Sequence, residues 1–575
     1  MLEHSPQVRP TRAVPTTRAQ DQAYVESLIS RIVEKCPTRA PTSEQEREAQ
    51  LMLQAELNTR GVRTHLLPFR FSSNLYAVLA LHFAVAVAGS AALLFSPLTA
   101  LVLHLLAGVS YLAEASHWGY LLRRVFPWRR SQNLIGKLPA RGKPRLRIVM
   151  LGHADAAHTG VMFNPLMVGS TSSKDHPQPF GFTRKHMLFA VLGMFAMALV
   201  DVMMMTTGYS MPMLYWGLTA GSLVGLLLNV QVVWRNQIVP GASDNLSGCA
   251  ALPVLASRFA DKKPDDVEMV FVATGCEESG VGGSAALAHQ MRSKWDRHDT
   301  IVIGLDILTN GKLCYKTVNE VIPFTLPLWL IDILQTVAER HPTIGRLGIY
   351  DACAGTDDAV PFVVKGYDGV CIACSDPRLG VSREYHLMTD TPENVDYEKL
   401  MNSIDFVEEV VDEVIRRKLE PDVALDPRRV VSHEGEGLTG AFALFTRPWV
   451  WPLVGVAAGA YYAAIMHLDW EVAHSAFRGA LSALIMWFPL AIVLDWFNWR
   501  PDERRSVNWM VFTLLSTIGV AGVGLLAPTV LAALLPGSET APTTTLAAWG
   551  AAAGALVGVV FGLVLSRRTI AARAT

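Results

Sequence analysis

Five short polar clusters hold the side chains with catalytic potential in this 575-residue chain. They are Gly152-His153-Ala154-Asp155, Gly241-Ala242-Ser243-Asp244-Asn245-Leu246-Ser247-Gly248, Glu277-Glu278-Ser279-Gly280, Leu305-Asp306, and Tyr385-His386 ahead of Asp390-Thr391. Each follows an apolar run or opens a helical one. Singly, each has an ordinary explanation. Asp244 can cap the helix that follows it, Glu277-Glu278 suits a solvated loop, and a lone His after a strand is more often structural than a ligand. Taken together they demand more. Carboxylates gathered at the ends of adjacent strands repel one another and rise in pKa unless a cation sits among them. Imidazole and carboxylate ligands without thiolate favour zinc, or another divalent ion such as manganese or cobalt.

The elements that must position these groups read as an α/β layer. Residues 20–60 carry helical apolar spacing in Val25, Ile29, Ile32 and Val33, and again in Leu51, Leu53 and Leu57. Strand-like runs fall at 62–69, 133–138, 146–152, 267–274, 300–305 and 369–373, with helical stretches at 246–260, 284–294, 324–340 and 396–416. Strands alternating with helices indicate such a layer, and the strand ends are where its sites form.

Composition adds a membrane part. Apolar residues make up 51% and charged residues only 18%, against about 25% charged in ordinary globular domains. Mean hydropathy is +0.27 and the formal net charge is −1. That balance excludes a nucleic-acid binder working by bulk basicity and a disordered acidic tail. Seven cysteines, an odd number, suit reduced thiols better than a disulfide framework, and Cys371-x-x-Cys374 in its apolar run reads as structural. Eight stretches reach the ~20 residues needed to cross a bilayer, at 75–95, 97–115, 186–206, 211–233, 449–468, 479–499, 508–533 and 546–566. They pair as four hairpins. The polar start, with Arg9, Arg12 and Arg18 and no apolar core behind them, does not read as a signal peptide.

Basic residues gather on one side of this pattern. Segment 116–147 holds Arg123, Arg124, Arg129, Arg130, Lys137, Arg141, Lys143, Arg145 and Arg147 without an acid; Arg184 and Lys185, then Arg500, Arg504 and Arg505, then Arg567 and Arg568 flank later spans. The positive-inside bias places both termini and the long segments in the cytoplasm, with the spans in the cell inner membrane. Gly550, Gly554, Gly558 and Gly562 repeat every four residues in the last span, allowing close packing within the bundle or between copies in an oligomer. Asp201 and Asp495 lie near span ends, where reaching toward headgroups explains them.

The five clusters, in this order, resemble the di-zinc metallopeptidases that include bacterial leucyl aminopeptidase, aminopeptidase Y, glutamate carboxypeptidase II and the glutaminyl cyclases. The resemblance covers roughly 133–416. It implies an α/β zinc-exopeptidase domain, a mixed sheet flanked by helices, interrupted by two transmembrane hairpins and followed by a C-terminal helical membrane region. The boundaries are 1–74, 116–185 and 234–430 for the peptidase domain, 75–115 and 186–233 for the hairpins, and 431–575 for the C-terminal four-helix region. Carried over by position, His153 and Asp306 would hold one zinc, Glu278 and His386 the other, and Asp244 would bridge them. Asp155 would orient His153 from behind, and Glu277 would be the general base. Two metals about 3.5–4 Å apart can share a hydroxide and polarise a carbonyl, while Glu277 takes and returns a proton.

The chain departs from the family at Ala154, commonly Tyr, and at Thr356-Asp357-Asp358, commonly Ser-Asp-His, a stretch that would shape the substrate pocket. In the family's fold the first and second strands, and the second and third, are antiparallel neighbours. Strands one and three then point the same way, both hairpins leave from the edge that carries the ligands, and the site should face the bilayer.

The resulting expectation is a membrane-embedded zinc metallopeptidase, an aminopeptidase acting on a peptide or membrane-associated protein, with the lipid bilayer and no nucleic acid as partner. The alternatives are a catalytically silent receptor or scaffold, a glutaminyl cyclase-like enzyme, and a solute transporter. A complete ligand set argues against silence. The cyclases generally work with one metal, and polar residues deep in the spans, which a transporter needs, are scarce. The orientation has a direct check: an alkaline phosphatase fusion after Thr575 should be inactive and one within 536–545 active, and the reverse result would invert the topology.

Overall fold

A computed structural model describes residues 17–164, 186–208, 212–316, 321, 326–341, 343–350, 355–377 and 379–420. The last four spans of the sequence analysis, the glycine repeat at 550–562, Asp495 and the boundaries within 431–575 lie outside them. The chain divides into two compact units. One comprises Met1–Ala84, Ala107–Val191 and Gly221–Val431, the other Val85–Leu106, Leu192–Ala220 and Ser432–Thr575.

The first unit opens with α1 (Arg18–Lys35) and α2 (Glu44–Thr59). Thr17 and Gln20 form a capping box at the start of α1, and the Ser43 side chain accepts the Glu46 amide at the start of α2. The expected single helical region is therefore two helices, broken where Pro37 and Pro41 remove amide donors. Next come β1 (Arg63–Phe71), α3 (Leu75–Ala92), α4 (Pro97–Ala115), β2 (Arg129–Leu138), β3 (Leu146–His153), β4 (His158–Thr159), α5 (His186–Thr207), α6 (Pro212–Arg235) and β5 (Gln237–Ile238). The chain continues through α7 (Leu246–Ala260), β6 (Val267–Thr274), α8 (Gly282–Met291), β7 (Thr300–Asp306), β8 (Lys312–Lys316), α9 (Leu328–Arg340), β9 (Gly348–Tyr350), α10 (Val360–Val364), β10 (Asp368–Ser375) and α11 (Tyr397–Leu419).

The main sheet has eight strands in the order β1-β2-β6-β3-β7-β10-β8-β9, and β4 pairs with β5 apart from it. The inner strands β6, β3, β7 and β10 run parallel and are nearly continuous apolar runs, as strands covered on both faces must be. Alternate residues divide between two cores. Ile148, Met150, Met269, Phe271, Ile301 and Ile303 meet α1, α2, α7, α9 and α11 on one face. Val149, Leu151, Val270, Val272 and Val302 meet Leu287 of α8 and Phe362 of α10 on the other.

One expectation is corrected here. β2 and β3 are not neighbours, because β6 lies between them. β2 is antiparallel to β6 and β6 is parallel to β3, so β1 and β3 still point the same way. The ends of β3, β6 and β7 therefore share one edge. The pair α3 and α4 leaves after β1, and α5 and α6 intervene between β4 and β5, as the sequence suggested. β8 and β9 were not foreseen. Cys371 and Cys374 face opposite cores, and the described cysteines are free and buried.

Among the described residues, four helices are long and apolar enough to cross a membrane: Leu75–Ala92, Pro97–Ala115, Met187–Thr206 and Leu214–Arg235. Within the second unit their buried faces hold a polar network among apolar residues such as Ala86, Met194 and Met197. His104 Nδ1 lies 2.6 Å from Asp201 Oδ2, the Tyr215 hydroxyl donates to Asp201 Oδ1 at 3.1 Å, and the Thr219 hydroxyl donates to Ser90 Oγ at 2.8 Å. Asp201 is fully buried in this network. Its partners, not the headgroups, account for it, which corrects the reading from its position in the sequence.

Where α7 crosses the end of β7, glycine is obligatory: a Cβ on Gly248 would stand 2.3 Å from the Leu305 carbonyl oxygen. Gly248→Ala should therefore destabilise the domain by about 1–3 kcal/mol, the range for overpacking, read as a lowered thermal midpoint. An unchanged midpoint would show that this crossing tolerates displacement.

Candidate metal centre

The shared edge collects the predicted groups. His153 ends β3 and Asp306 ends β7, while Glu277 and Glu278 follow β6 and Asp244 precedes α7. His386 arrives from the turn before α11, with φ +55°. The Asn245 side chain holds the Asp244 loop to β7: Nδ2 donates to the Leu305 carbonyl at 2.7 Å, and Oδ1 accepts the amides of Gly248 and Ile307 at 3.0 and 3.1 Å. Asp390 fixes the same loop from the other side, accepting the Ser243 amide at 2.7 Å and the Asp244 amide at 3.0 Å. Burial pushes its carboxyl up to about 7.

Two ligand groups share Asp244. Its Oδ1 lies 3.2 Å from His153 Nε2 and its Oδ2 lies 3.4 Å from His386 Nε2. Asp306 Oδ1 stands 3.7 Å from His153 Nε2, and Glu278 Oε2 stands 3.3 Å from His386 Nε2. Ligand atoms bound to one tetrahedral zinc at ~2.0–2.1 Å are separated by roughly 3.3–3.4 Å, so both groups fit a divalent ion of that size. Two buried oxygens point the same way: Glu278 Oε1 and Asp306 Oδ1 have no hydrogen-bond partner among the described residues. Glu277 Oε2 is 3.6 Å from His153 Nε2.

The charge state agrees with that fit. Burial pushes the Glu277 and Glu278 carboxyls well above the carboxylate range, helped by neighbouring carboxylates. Burial also opposes ionisation of Asp244, but the two imidazoles outweigh it and hold its carboxyl below the usual range. His153 is raised despite burial by Glu277, Asp244 and Asp306. A cation among these groups would favour the ionised form of Glu277 and Glu278.

Asp155 does something the sequence did not suggest. His153 Nδ1 meets the Asp155 backbone carbonyl at 3.1 Å, with the carboxylate 3.7 Å away. The carboxylate instead accepts the amides of Glu277 at 3.1 Å and Glu278 at 2.9 Å. Glu46 of α2 extends the cage by accepting the preceding amide, Cys276, at 2.7 Å, together with the Ser131 hydroxyl at 2.8 Å. Three successive amides are thus tied to two buried acids, in a loop whose Cys276 and Val281 take positive φ.

Sequence reasoning missed three contributors and left the part played by a fourth open. Glu46 sits in an ordinary amphipathic helix, more than 200 residues from the amide it holds. Arg39, fully buried, donates to the carbonyls of Ala154, Pro240 and Gly241 at 2.9, 2.8 and 3.0 Å, joining the His153 and Asp244 loops. Lys316 of β8 donates to Asp306 Oδ2 at 2.6 Å, leaving Oδ1 for the ligand position. Asp358 accepts the Thr274 hydroxyl at 2.6 Å beside the site, and burial pushes its carboxyl up to about 7. Only the unbroken acidic pair Asp357-Asp358 gave any sequence signal.

Comparison with known proteins gives the class. Residues 230–411 match the family described as "Peptidase family M28". Over 188 residues it is 28% identical to aminopeptidase YwaD of Bacillus subtilis (strain 168), an alignment covering 32% of this chain and 39% of that protein. The chain thus spans about two fifths of the curated relative it matches. Among solved structures, the zinc aminopeptidase BSAP from Bacillus subtilis aligns over 69% of this chain and 96% of its own, with TM-score 0.42 and 15% identity. An Acidobacteriales bacterium glutaminyl cyclase aligns over 72% and 100%, with TM-score 0.40 and 12% identity.

The amide cage makes a specific demand on Asp155. Asp155→Asn offers one acceptor where two amides need one each, so metal affinity should fall about 10–100-fold, as for lost supporting partners of metal ligands. Calorimetric zinc titration checks this. An unchanged affinity would mean that the loop is held by other contacts.

Proposed function

We propose that this chain is a zinc-dependent metallopeptidase with two metal positions, an aminopeptidase in activity, embedded in a membrane. The observation that carries the reading is Asp244, whose two oxygens face two histidines, each accompanied by a further carboxylate. His153 and Asp306 would hold one ion, Glu278 and His386 the other, and Asp244 both. When bound, such ions supply Lewis acidity toward a carbonyl and lower the pKa of water.

The chain's own groups account for the rest. Glu277 also forms a candidate ligand group with His153 and Glu278; beside the two pairs that share Asp244, it can take a proton from the attacking water and return it to the leaving amine. The caged amides of Cys276, Glu277 and Glu278 keep that carboxylate in place through both transfers. Lys316 keeps Asp306 on one oxygen. A silent scaffold has no use for this arrangement, since buried acids without a role only cost stability.

The membrane reading rests on the four long apolar helices, and a contact supports a site near the bilayer. Phe163 packs with Tyr76 near the start of α3 and Val232 near the end of α6. Its ring centroid lies 4.6 Å from that of His386. A membrane-associated peptide or protein would then be the natural substrate, with the catalytic domain on the cytoplasmic side as the basic flanks suggest.

Purified protein should release N-terminal residues from a peptide library and stop when chelated; no release under either condition would remove the activity. Glu277→Gln should keep its metal and lose about 10²–10⁴-fold in turnover, while Glu278→Gln should lose metal. Elemental analysis beside the rate assay distinguishes them, and equal metal loss in both would overturn the division of roles.

A further inference from the structure

Between α4 and β2 the chain does something that a plain linker would not. After Ala115 it turns back and forms a short 3-10 turn, Leu122–Val125. The Leu122 amide donates to the Ser110 hydroxyl at 3.1 Å. Ser110 lies five residues before the end of α4, which at ~1.5 Å per residue is about 7 Å back along the helix. The turn therefore lies beside the last turns of an apolar helix long enough to span a bilayer, at the level where its end would meet the headgroups.

Its two faces differ in kind. Inward, Arg123 is fully buried. It donates to Glu114 of α4 at 2.6 Å and to the Ser72 carbonyl at 3.2 Å, and its guanidinium stands 4.6 Å from the Phe71 ring centroid. A Cβ on Gly280, in the loop of Glu277 and Glu278, would be only 3.0 Å from Arg123 Nη2. The turn is thus wedged between a membrane helix and the catalytic loop. Outward, Leu121 is 47% exposed and Val125 69% exposed. Arg124, Arg129 and Arg130, close to them in the chain, are exposed, the last two opening β2 at the sheet end from which β1 delivers the chain to α3. Tyr120 and Trp128 are half-buried against Phe71. No acid occurs between Ala115 and Ala154.

Bare aliphatic side chains ringed by arginines and aromatic residues would be a liability in water, but they match the boundary between acyl chains and phosphates. We propose that the segment 120–130 is a seat for anionic phospholipid: Leu121 and Val125 enter the acyl boundary, and Arg124, Arg129 and Arg130 bind the headgroup phosphates. The occupant is a lipid surface rather than a soluble partner because the segment lies alongside the end of a spanning helix and its exposed arginines have no acid near them in the sequence. Through Arg123, that seat bears directly on the Glu277–Gly280 loop.

The proposal rests on the membrane reading but not on peptidase activity, and its test uses lipid binding alone. The full chain, first shown to stay in carbonate-washed membranes, is purified in detergent and titrated with phosphatidylglycerol and, separately, phosphatidylcholine, with bound lipids resolved by native mass spectrometry. Near an anionic surface each arginine is worth about fivefold in affinity. The variant Arg124→Gln/Arg129→Gln/Arg130→Gln should therefore bind phosphatidylglycerol roughly 100-fold more weakly and phosphatidylcholine as before. Equal phosphatidylglycerol binding by variant and parent would overturn the proposal. As a second reading, Val125→p-benzoylphenylalanine in native membranes should give lipid adducts on irradiation. Adducts to a second copy or to another protein would make the segment a protein interface and refute the lipid seat. Release of the parent chain by carbonate would instead defeat the membrane reading itself.

Discussion

Five carboxylates, those of Asp155, Asp244, Glu277, Glu278 and Asp306, are buried together at the edge shared by β3, β6 and β7. Two like charges 4 Å apart cost about 4 kcal/mol at an effective dielectric near 20, so such a cluster is the most expensive feature of the fold. Much of the surrounding structure offsets that cost. Backbone amides are turned toward Asp155, Asp390 and Glu46, Lys316 is set against Asp306, and two imidazoles flank Asp244. The remaining imbalance is of the sign that a cation corrects.

The domain tolerates two long insertions because both occur where they leave the hydrogen-bond ladders intact. The β1–β2 register runs unbroken from Arg63 opposite Lys137 to Phe71 opposite Arg129, although everything from residue 72 to 128 intervenes. Closing a longer loop adds only about 0.6 kcal/mol per doubling of length, and here the loop is itself helical. The second insertion is closed at its base by the β4–β5 pair, His158 opposite Ile238. The insertions are not passive. Phe163 beside His386, and Arg123 beside Gly280, bring the ends of the apolar helices against the metal site.

The apolar helices carry a second lesson about buried polarity. Hydropathy alone makes α3 to α6 look uniform, yet the second unit buries His104, Asp201, Tyr215, Ser90 and Thr219 in one connected network. Burying such groups costs free energy unless they bond to each other, and these join residues from all four helices.

The sequence by itself determined the strands and the polar residues gathered at their ends. Apolar runs at 267–274 and 300–305 and the polar residues that end them are local patterns, and those strands, their order of motifs, His153, Asp244, Glu277, Glu278, Asp306 and His386 were all legible. The helix break near Pro37 and Pro41 was available in the same way but was overridden by the apolar period on either side. What only the tertiary structure decided is how distant residues meet. The insertion of β6 between β2 and β3, the hold of Glu46 on Cys276, the bridging of two loops by Arg39, and the pairing of Lys316 with Asp306 have no local signature. Asp155 shows the division within one residue. Its place two positions after a candidate ligand marked it as a supporting group, but whether its carboxylate served the imidazole or the amides of Glu277 and Glu278 depended on where β6 came to rest. A buried acid bonds to whichever donors the packed chain brings within 3 Å, and that distance is set by the fold.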